Sequence, residues 1–307
     1  MEVIKINGGV DVDLEPGVAA LGFFDGMHLG HLALLEEVKL CGQKENLKTA
    51  VLTFDVQPKT FLTKQKEEYL MSVDDKIAFT KMLGIDYFIV LEFNEHLQNC
   101  SAHDFIESYL RPLNFRHLVC GFDYTFGKKG LGTSQTLAKY GHLFSLSVVS
   151  KKEYNHHKIA STHIKQLLKK GDIVQANNLL GRPYRVTGRV VYGKQLGKRI
   201  GFPTANIDYG SYLIPKRGVY AVNIVIDGHA HLAMANVGLN PTVETLDKLV
   251  LEVNVFDYTK DIYGEIVQVE FLKYIREEVK FASLDQLIDQ LDTDRKIIIK
   301  GETPWKI

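Results

Sequence analysis

The sequence has little cysteine: Cys41, Cys100 and Cys120 are scattered through 307 residues. An odd number in no metal-ligand spacing excludes a disulfide framework and points to reduced thiols in the cytoplasm. Neither charge is in excess, since 37 Lys and Arg stand against 37 Asp and Glu. A dedicated nucleic-acid binder would carry a basic surplus, so only local patches are left for phosphates. No apolar run reaches the about 20 residues of a membrane-spanning helix, and the acidic start, MEVIKINGGVDVDLEPG, lacks the apolar core of a signal peptide. Internal repeats and low-complexity segments are absent as well. What is present is an ordinary globular composition, 45% hydrophobic and 24% charged, with length enough for two domains.

Up to about residue 150, short apolar runs alternate with helical patterns. Residues 17–24, 48–54, 87–91, 117–120 and 143–149 read as strands, and 31–44, 73–83 and 102–110 as helices. The alternation predicts a Rossmann-like α/β layer with a parallel sheet between helices, its ligands at the carboxyl ends of the strands. Residues 161–180 read as two short helices broken at Gly171-Asp172, and Pro183 ends the helical stretch. Beyond it, runs at 184–192, 218–226, 231–237, 249–258 and 266–275 predict antiparallel strands closing into a small β-barrel. A terminal helix over 283–300 is expected, capped by Ser283, with Leu284, Leu287, Ile288 and Leu291 on one face. The domains expected are 1–182 and 183–307.

Two segments carry phosphate chemistry. The first is Gly22-Phe23-Phe24-Asp25-Gly26-Met27-His28-Leu29-Gly30-His31. If a helix starts here, His28 and His31 lie on one side of its first turn, where backbone N–H groups attract phosphate. Gly30 lets a nucleotide approach closely, and the imidazoles can stabilise charge as pyrophosphate leaves. Two exposed histidines in a helix-start turn, or half a metal site, are the alternatives. Gly121-Phe122-Asp123-Tyr124-Thr125-Phe126-Gly127 leads into Lys128 and Lys129, a loop suited either to phosphate or to solvent. Residues 151–170 hold six lysines against one acid and include Ser161-Thr162-His163-Ile164-Lys165.

The second segment runs from Gly188 through Gly193-Lys194-Gln195-Leu196-Gly197-Lys198-Arg199-Ile200-Gly201-Phe202-Pro203-Thr204-Ala205-Asn206. Its glycines and cations make a basic loop, and Thr204 and Asn206, two apart, share one face of a strand. A hydroxyl and an amide oxygen are hard ligands that suit Mg²⁺; a hairpin with a polar face is the alternative.

With Gly218-Val219-Tyr220, Asn236-Val237-Gly238, Leu251-Glu252-Val253 and Arg276-Glu277-Glu278, these motifs resemble the bacterial bifunctional riboflavin kinase/FAD synthetase family over nearly the whole chain. The resemblance implies an N-terminal adenylyltransferase that joins the AMP of ATP to FMN, and a C-terminal kinase that makes FMN from riboflavin and ATP. It implies nucleotide contacts at Gly22, Phe24, Asp25, Gly30, Gly121, Asp123, Phe126, Gly127, Ser161, Thr162 and His163, with His28 and His31 catalytic. In the second half it implies nucleotide contacts at Gly188, Lys194, Gly197, Gly201 and Pro203, and flavin contacts at Asn236, Gly238 and Arg276. Thr204 and Asn206 would bind Mg²⁺, and Glu252 would be the base on the riboflavin hydroxyl. No nucleic-acid or membrane partner is expected; an oligomer is compatible.

Three motifs depart from the family's pattern. Val56-Gln57-Pro58 stands for Pro-His-Pro, His163 and Lys165 stand for two arginines, and Phe23 stands for asparagine. Arginine is permanently charged and bidentate where histidine is mostly neutral. One rival is therefore a kinase whose adenylyl transfer is weak, lost or altered in flavin redox preference. Another is a flavin or nucleotide sensor, against which the intact Thr204, Asn206 and Glu252 argue.

Overall fold

A computed structural model describes residues 1–58, 61, 68–154, 157–193, 197, 200–239 and 249–301. The chain forms two units: Met1–Glu67 with Ser72–Ala160, and Glu68–Met71 with Ser161–Ile307.

In the first unit the strands are β1 (Glu2–Ile6), β2 (Gly17–Leu21), β3 (Lys48–Phe54), β4 (Tyr87–Leu91) and β5 (Phe115–Gly121). A short hairpin, β6 (Thr125–Phe126) and β7 (Gly132–Thr133), precedes β8 (Ser145–Val149). The main sheet is parallel, in the order β1-β4-β3-β2-β5-β8. Such strands are buried on both faces, and β2 is apolar along its whole length for that reason. Helix α1 (Leu29–Glu45) crosses one face, pressed close enough that a Cβ on Gly42 would lie 2.8 Å from Thr49 Cγ2. Helix α2 is Val73–Met82. The other face carries Ala19, Leu21, Ala50, Leu52, Ile89 and Leu118, which join Phe105, Tyr109 and Leu113 in one core. Those partners come from α4 (Ala102–Phe105) and the turns after it, and α3 (Glu95–Asn99) adds Leu97. The helix expected over 102–110 widens into a π-helical turn at Ile106–Leu110, then a 3₁₀ turn containing Pro112. Helix α5 is Ser134–Ala138, and a last hairpin pairs β9 (Glu153–Tyr154) with β10 (His157–Lys158).

The second unit holds α6 (Ser161–Lys170) and α7 (Ile173–Leu180). Its strands are β11 (Tyr184–Val191), β12 (Ala205–Asp208), β13 (Gly218–Ile226), β14 (His229–Leu239), β15 (Leu249–Val255) and β16 (Ile266–Arg276), and α8 (Leu284–Lys300) ends it. The strands close an antiparallel barrel in the order β11-β12-β15-β14-β13-β16. Residues 161–182, which the sequence pattern joins to the first half, pack here. Buried Asn177 donates to the Phe271 carbonyl at 2.9 Å and accepts from the Tyr184 N–H at 2.7 Å. Tyr69, from the connection between β3 and α2, also belongs to this unit and bridges to Tyr212. Ser283 caps α8 as expected. Leu284, expected on its apolar face, is exposed, and the buried positions are Asp294 and Ile298.

Candidate active sites

From β2 the first unit steps through β3 to β4, then returns to place β5 and β8 on the other side of β2. That reversal opens a crevice at the carboxyl ends of β2 and β5, the place where such sheets bind ligands. Both expected loops, 22–28 and 121–132, leave the sheet there. In the first, Phe24, Gly26 and Met27 take left-handed backbone angles (φ 56°, 82° and 41°). Phe24 and Met27 are fully buried, so packing holds the strain. Gly22 is a close fit, since a Cβ there would lie 3.1 Å from the Phe24 ring. Phe24 thus contributes core packing and backbone, not a side-chain ligand.

His28 is the N-cap of α1, its Nδ1 accepting from the His31 N–H at 3.2 Å. An N–H can only donate, so the neutral His28 ring carries its proton on Nε2. The two imidazoles stack at 3.7 Å and 12°, and the Phe24 ring meets His31 edge-on at 5.2 Å. Lone pairs of parallel rings do not converge on one ion, which disfavours half a metal site. Nor are these exposed turn histidines, since His28 is 5% exposed. A Cβ on Gly30 would lie 3.1 Å from the His28 ring and 3.7 Å from the Ile159 carbonyl. Helices α2, α3, α4 and α8 carry acids in their first turn, whereas α1 carries none. Its positive end is left for an anion from elsewhere.

In the second loop, exposed Asp123 forms an ion pair with Lys158 of β10, whose ammonium lies 4.8 Å from the Phe122 ring. Phe126 is buried against Tyr124 and Phe105. Gly127 (φ 70°) lies where a Cβ would come within 2.8 Å of the Ala102 nitrogen, and the Lys128 N–H reaches the Cys100 carbonyl at 2.7 Å. Phe126 and Gly127 therefore support the loop that presents Gly121, Asp123, Lys128 and Lys129. Burial pushes the Cys120 thiol at its base up to about 11, so it stays protonated and unreactive at neutral pH. Ser161, Thr162 and His163 form the first turn of α6 in the second unit, again without an acid.

The second unit builds its site by strand register. Asn206 on β12 stands opposite Glu252 on β15, and Glu252 opposite Asn236 on β14. The row continues to Val219 on β13 and Arg276 on β16. Directly opposed residues share a face. Ala205, Ile207, Leu251, Val253, Ala235 and Val237 fill the interior, so Asn206, Glu252 and Asn236 line the outside of the barrel wall. Thr204 falls on the Asn206 side, and the chain before it is held by the Asn254 amide, which donates to the Pro203 carbonyl at 2.7 Å. The Gly197 carbonyl accepts from the Phe202 N–H at 2.9 Å, and a Cβ on Gly197 would lie 3.5 Å from Thr204 Oγ1. Gly201 supplies the left-handed turn (φ 81°). Lys194 lies outside the described residues, as do Lys198 and Arg199.

A Cβ on Gly193 would collide with the Asn206 amide. Gly193→Ala is therefore expected to displace Asn206 and lower turnover at this site at least tenfold, with about 1–3 kcal/mol lost to overpacking. Turnover and a thermal melt check both. Gly188, expected at a nucleotide, is buried in the barrel wall, with Ile207 Cγ2 2.5 Å from where its Cβ would be.

Arg276 is held from α8. Its Nε donates to both carboxylate oxygens of fully buried Asp294 at 3.0 and 2.9 Å, and Nη2 donates to Oδ2 at 2.7 Å. Gln290 Nε2 donates to the same carboxylate at 2.9 Å. The Glu278 carboxylate, held by Arg217 Nε at 2.8 Å, packs against Gly238, where a Cβ would strike it. Sequence reading missed Asp294 and, in the first unit, buried Lys76. Both are charged residues whose role depends on a partner distant in the chain.

A parallel sheet with a phosphate-ready crevice, followed by a closed barrel with a carboxylate between two amides, defines a two-domain nucleotide-dependent transferase. The FAD synthetase family model matches residues 11–163 and the riboflavin kinase model residues 180–300. The chain is 41% identical over 283 residues to the bifunctional riboflavin kinase/FMN adenylyltransferase of Listeria monocytogenes, covering 91% of this chain and 90% of that one. The protein of that name from Bacillus subtilis is 37% identical, with 92% of each covered. A crystal structure described as a macrolide-efflux protein from Streptococcus pneumoniae superimposes with a TM-score of 0.90 at 33% identity, covering 98% of this chain and 99% of that one. Among the described residues no helix is long and apolar enough to cross a membrane. The chain belongs to the bifunctional riboflavin kinase/FMN adenylyltransferase family.

Proposed function

We propose that the second unit phosphorylates riboflavin to FMN with ATP, and that the first adenylylates FMN to FAD with a second ATP, releasing pyrophosphate. The observation that carries this is the row Asn206–Glu252–Asn236, which sets one carboxylate between two amides beside a glycine-rich loop. Phosphorylating a neutral alcohol needs a base, and Glu252 takes the hydroxyl proton. Asn236, Gly238 and Arg276 hold the flavin, and the loop around Gly197, Gly201 and Pro203 holds the nucleotide.

Thr204 and Asn206 are the hard oxygen donors that would hold Mg²⁺, which when bound neutralises phosphate charge. Among the described residues no three His, Cys, Asp or Glu gather for a metal. In the first unit the reacting FMN phosphate is already anionic. His28, His31 and the amides of residues 22–30 position the triphosphate and stabilise the departing pyrophosphate. The functional division falls at residue 182, so that Ser161, Thr162 and His163 serve adenylyl transfer. The free thiols Cys41, Cys100 and Cys120 fit a cytoplasmic setting.

Incubation with riboflavin, ATP and Mg²⁺, with FMN and FAD resolved, tests the reading; FMN must form first and FAD from it. His163, Lys165 and Gln57 favour a second reading in which adenylyl transfer is the slow half. His163→Arg is then expected to raise FAD formation several-fold while FMN formation stays unchanged. Efficient FAD synthesis by the unaltered chain, with no gain in the variant, would assign the charge to Lys128, Lys129 or Lys165.

A further inference from the structure

We propose that Lys76 is a positioning residue for adenylyl transfer, clamping the loop of residues 22–28 and setting a buried positive charge against it. The inference rests on the reading of that loop as the ATP-phosphate site. Lys76 lies in the first turns of α2, behind the Ser72 cap, and is 1% exposed. Its ammonium donates to the Phe23 carbonyl at 2.8 Å and sits 3.8 Å from the centre of the Phe23 ring. The same carbonyl accepts from Thr53 Oγ1, at the end of β3, at 3.1 Å. One carbonyl thus ties β3 and α2 to the loop, immediately before the left-handed residues Phe24, Gly26 and Met27. Strained backbone of this kind persists only where its surroundings over-determine it.

Thr53 gives the Phe23 carbonyl an uncharged donor and Lys76 gives it a charged one; methionine would fill the space of the lysine stem. Burying a charge carries a desolvation cost that a thioether avoids. The charge is useful beside a loop that must hold a triphosphate and let pyrophosphate depart, because fixed charge in a water-poor site acts strongly on developing negative charge. Phe23 completes the arrangement: its ring gives Lys76 a cation–π partner that asparagine would not.

The test compares Lys76→Met, Phe23→Leu and His28→Asn in the full-length chain, with FMN formation as an internal control. Lys76→Met is expected to lower kcat for FAD formation about 10²-fold. KM for FMN, the melting temperature and FMN formation should stay close to wild type, while inhibition by added pyrophosphate weakens. A purely structural clamp would instead lower the melting temperature and raise KM for both substrates. Phe23→Leu keeps the carbonyl and removes the ring, and is expected to cost about threefold to thirtyfold; it decides the matter if Lys76→Met does not fold. FAD formation within threefold of wild type in the folded Lys76 variant, or unchanged in Phe23→Leu when the Lys76 variant is lost, overturns the inference. If His28→Asn is also fully active, the phosphate-site reading itself has failed.

Discussion

Glu252→Gln is expected to abolish FMN formation, lowering kcat by about 10²–10⁴-fold, the usual cost of losing a general base. Glutamine has the same shape, so no cavity opens and the strand pairings to Asn206 and Asn236 persist. What disappears is a group able to accept the hydroxyl proton. Riboflavin binding should survive, because the proposed flavin contacts lie on β14 and β16 and not on the Glu252 side chain. Steady-state FMN production and riboflavin affinity separate the two effects. Production within tenfold of the unaltered chain would remove Glu252 from the role of base. FAD made from supplied FMN should be unaffected, since the first unit does not use this carboxylate.

His28→Asn is expected to lower FAD formation by about 10²–10³-fold, the scale seen when one preorganised stabilising group is removed. Asparagine is among the best N-cap residues, so α1 keeps its start and the His31 N–H keeps an acceptor. The substitution therefore isolates the imidazole from the cap it also provides. Its Nε2 proton and its stacking against the His31 ring are the features lost. FMN synthesis, measured in the same sample, should be unchanged. An equal loss in both reactions would mean that the variant damages the whole chain.

Some of this was legible because it is local. Strands 48–54, 87–91 and 218–226 occur as the apolar pattern predicts, since a short continuous apolar run and the turn chemistry that bounds it act over a few positions. His28 and His31 share a helical turn for the same reason. Thr204 and Asn206 share a strand face because strand periodicity is two. The crowding at Gly188 was not legible, because a glycine inside a ligand-like motif looks the same as one that a crowded barrel wall needs.

The amino-acid order by itself thus determined the strand-and-helix alternation, the barrel strands and the residue types able to handle phosphate, all consequences of short-range periodicity. Tertiary structure alone decided which of them meet. Barrel closure put Glu252 between Asn206 and Asn236, groups 46 and 16 residues away by sequence number (252 − 206 and 252 − 236). It locked Arg276 onto Asp294 from a different element and packed residues 161–180 with the barrel through Asn177. In the first unit, the packing of α2 against the sheet brought Lys76 to a carbonyl 53 residues away. Such pairings depend on which sequence-distant surfaces bury each other, and local propensity carries no record of that choice.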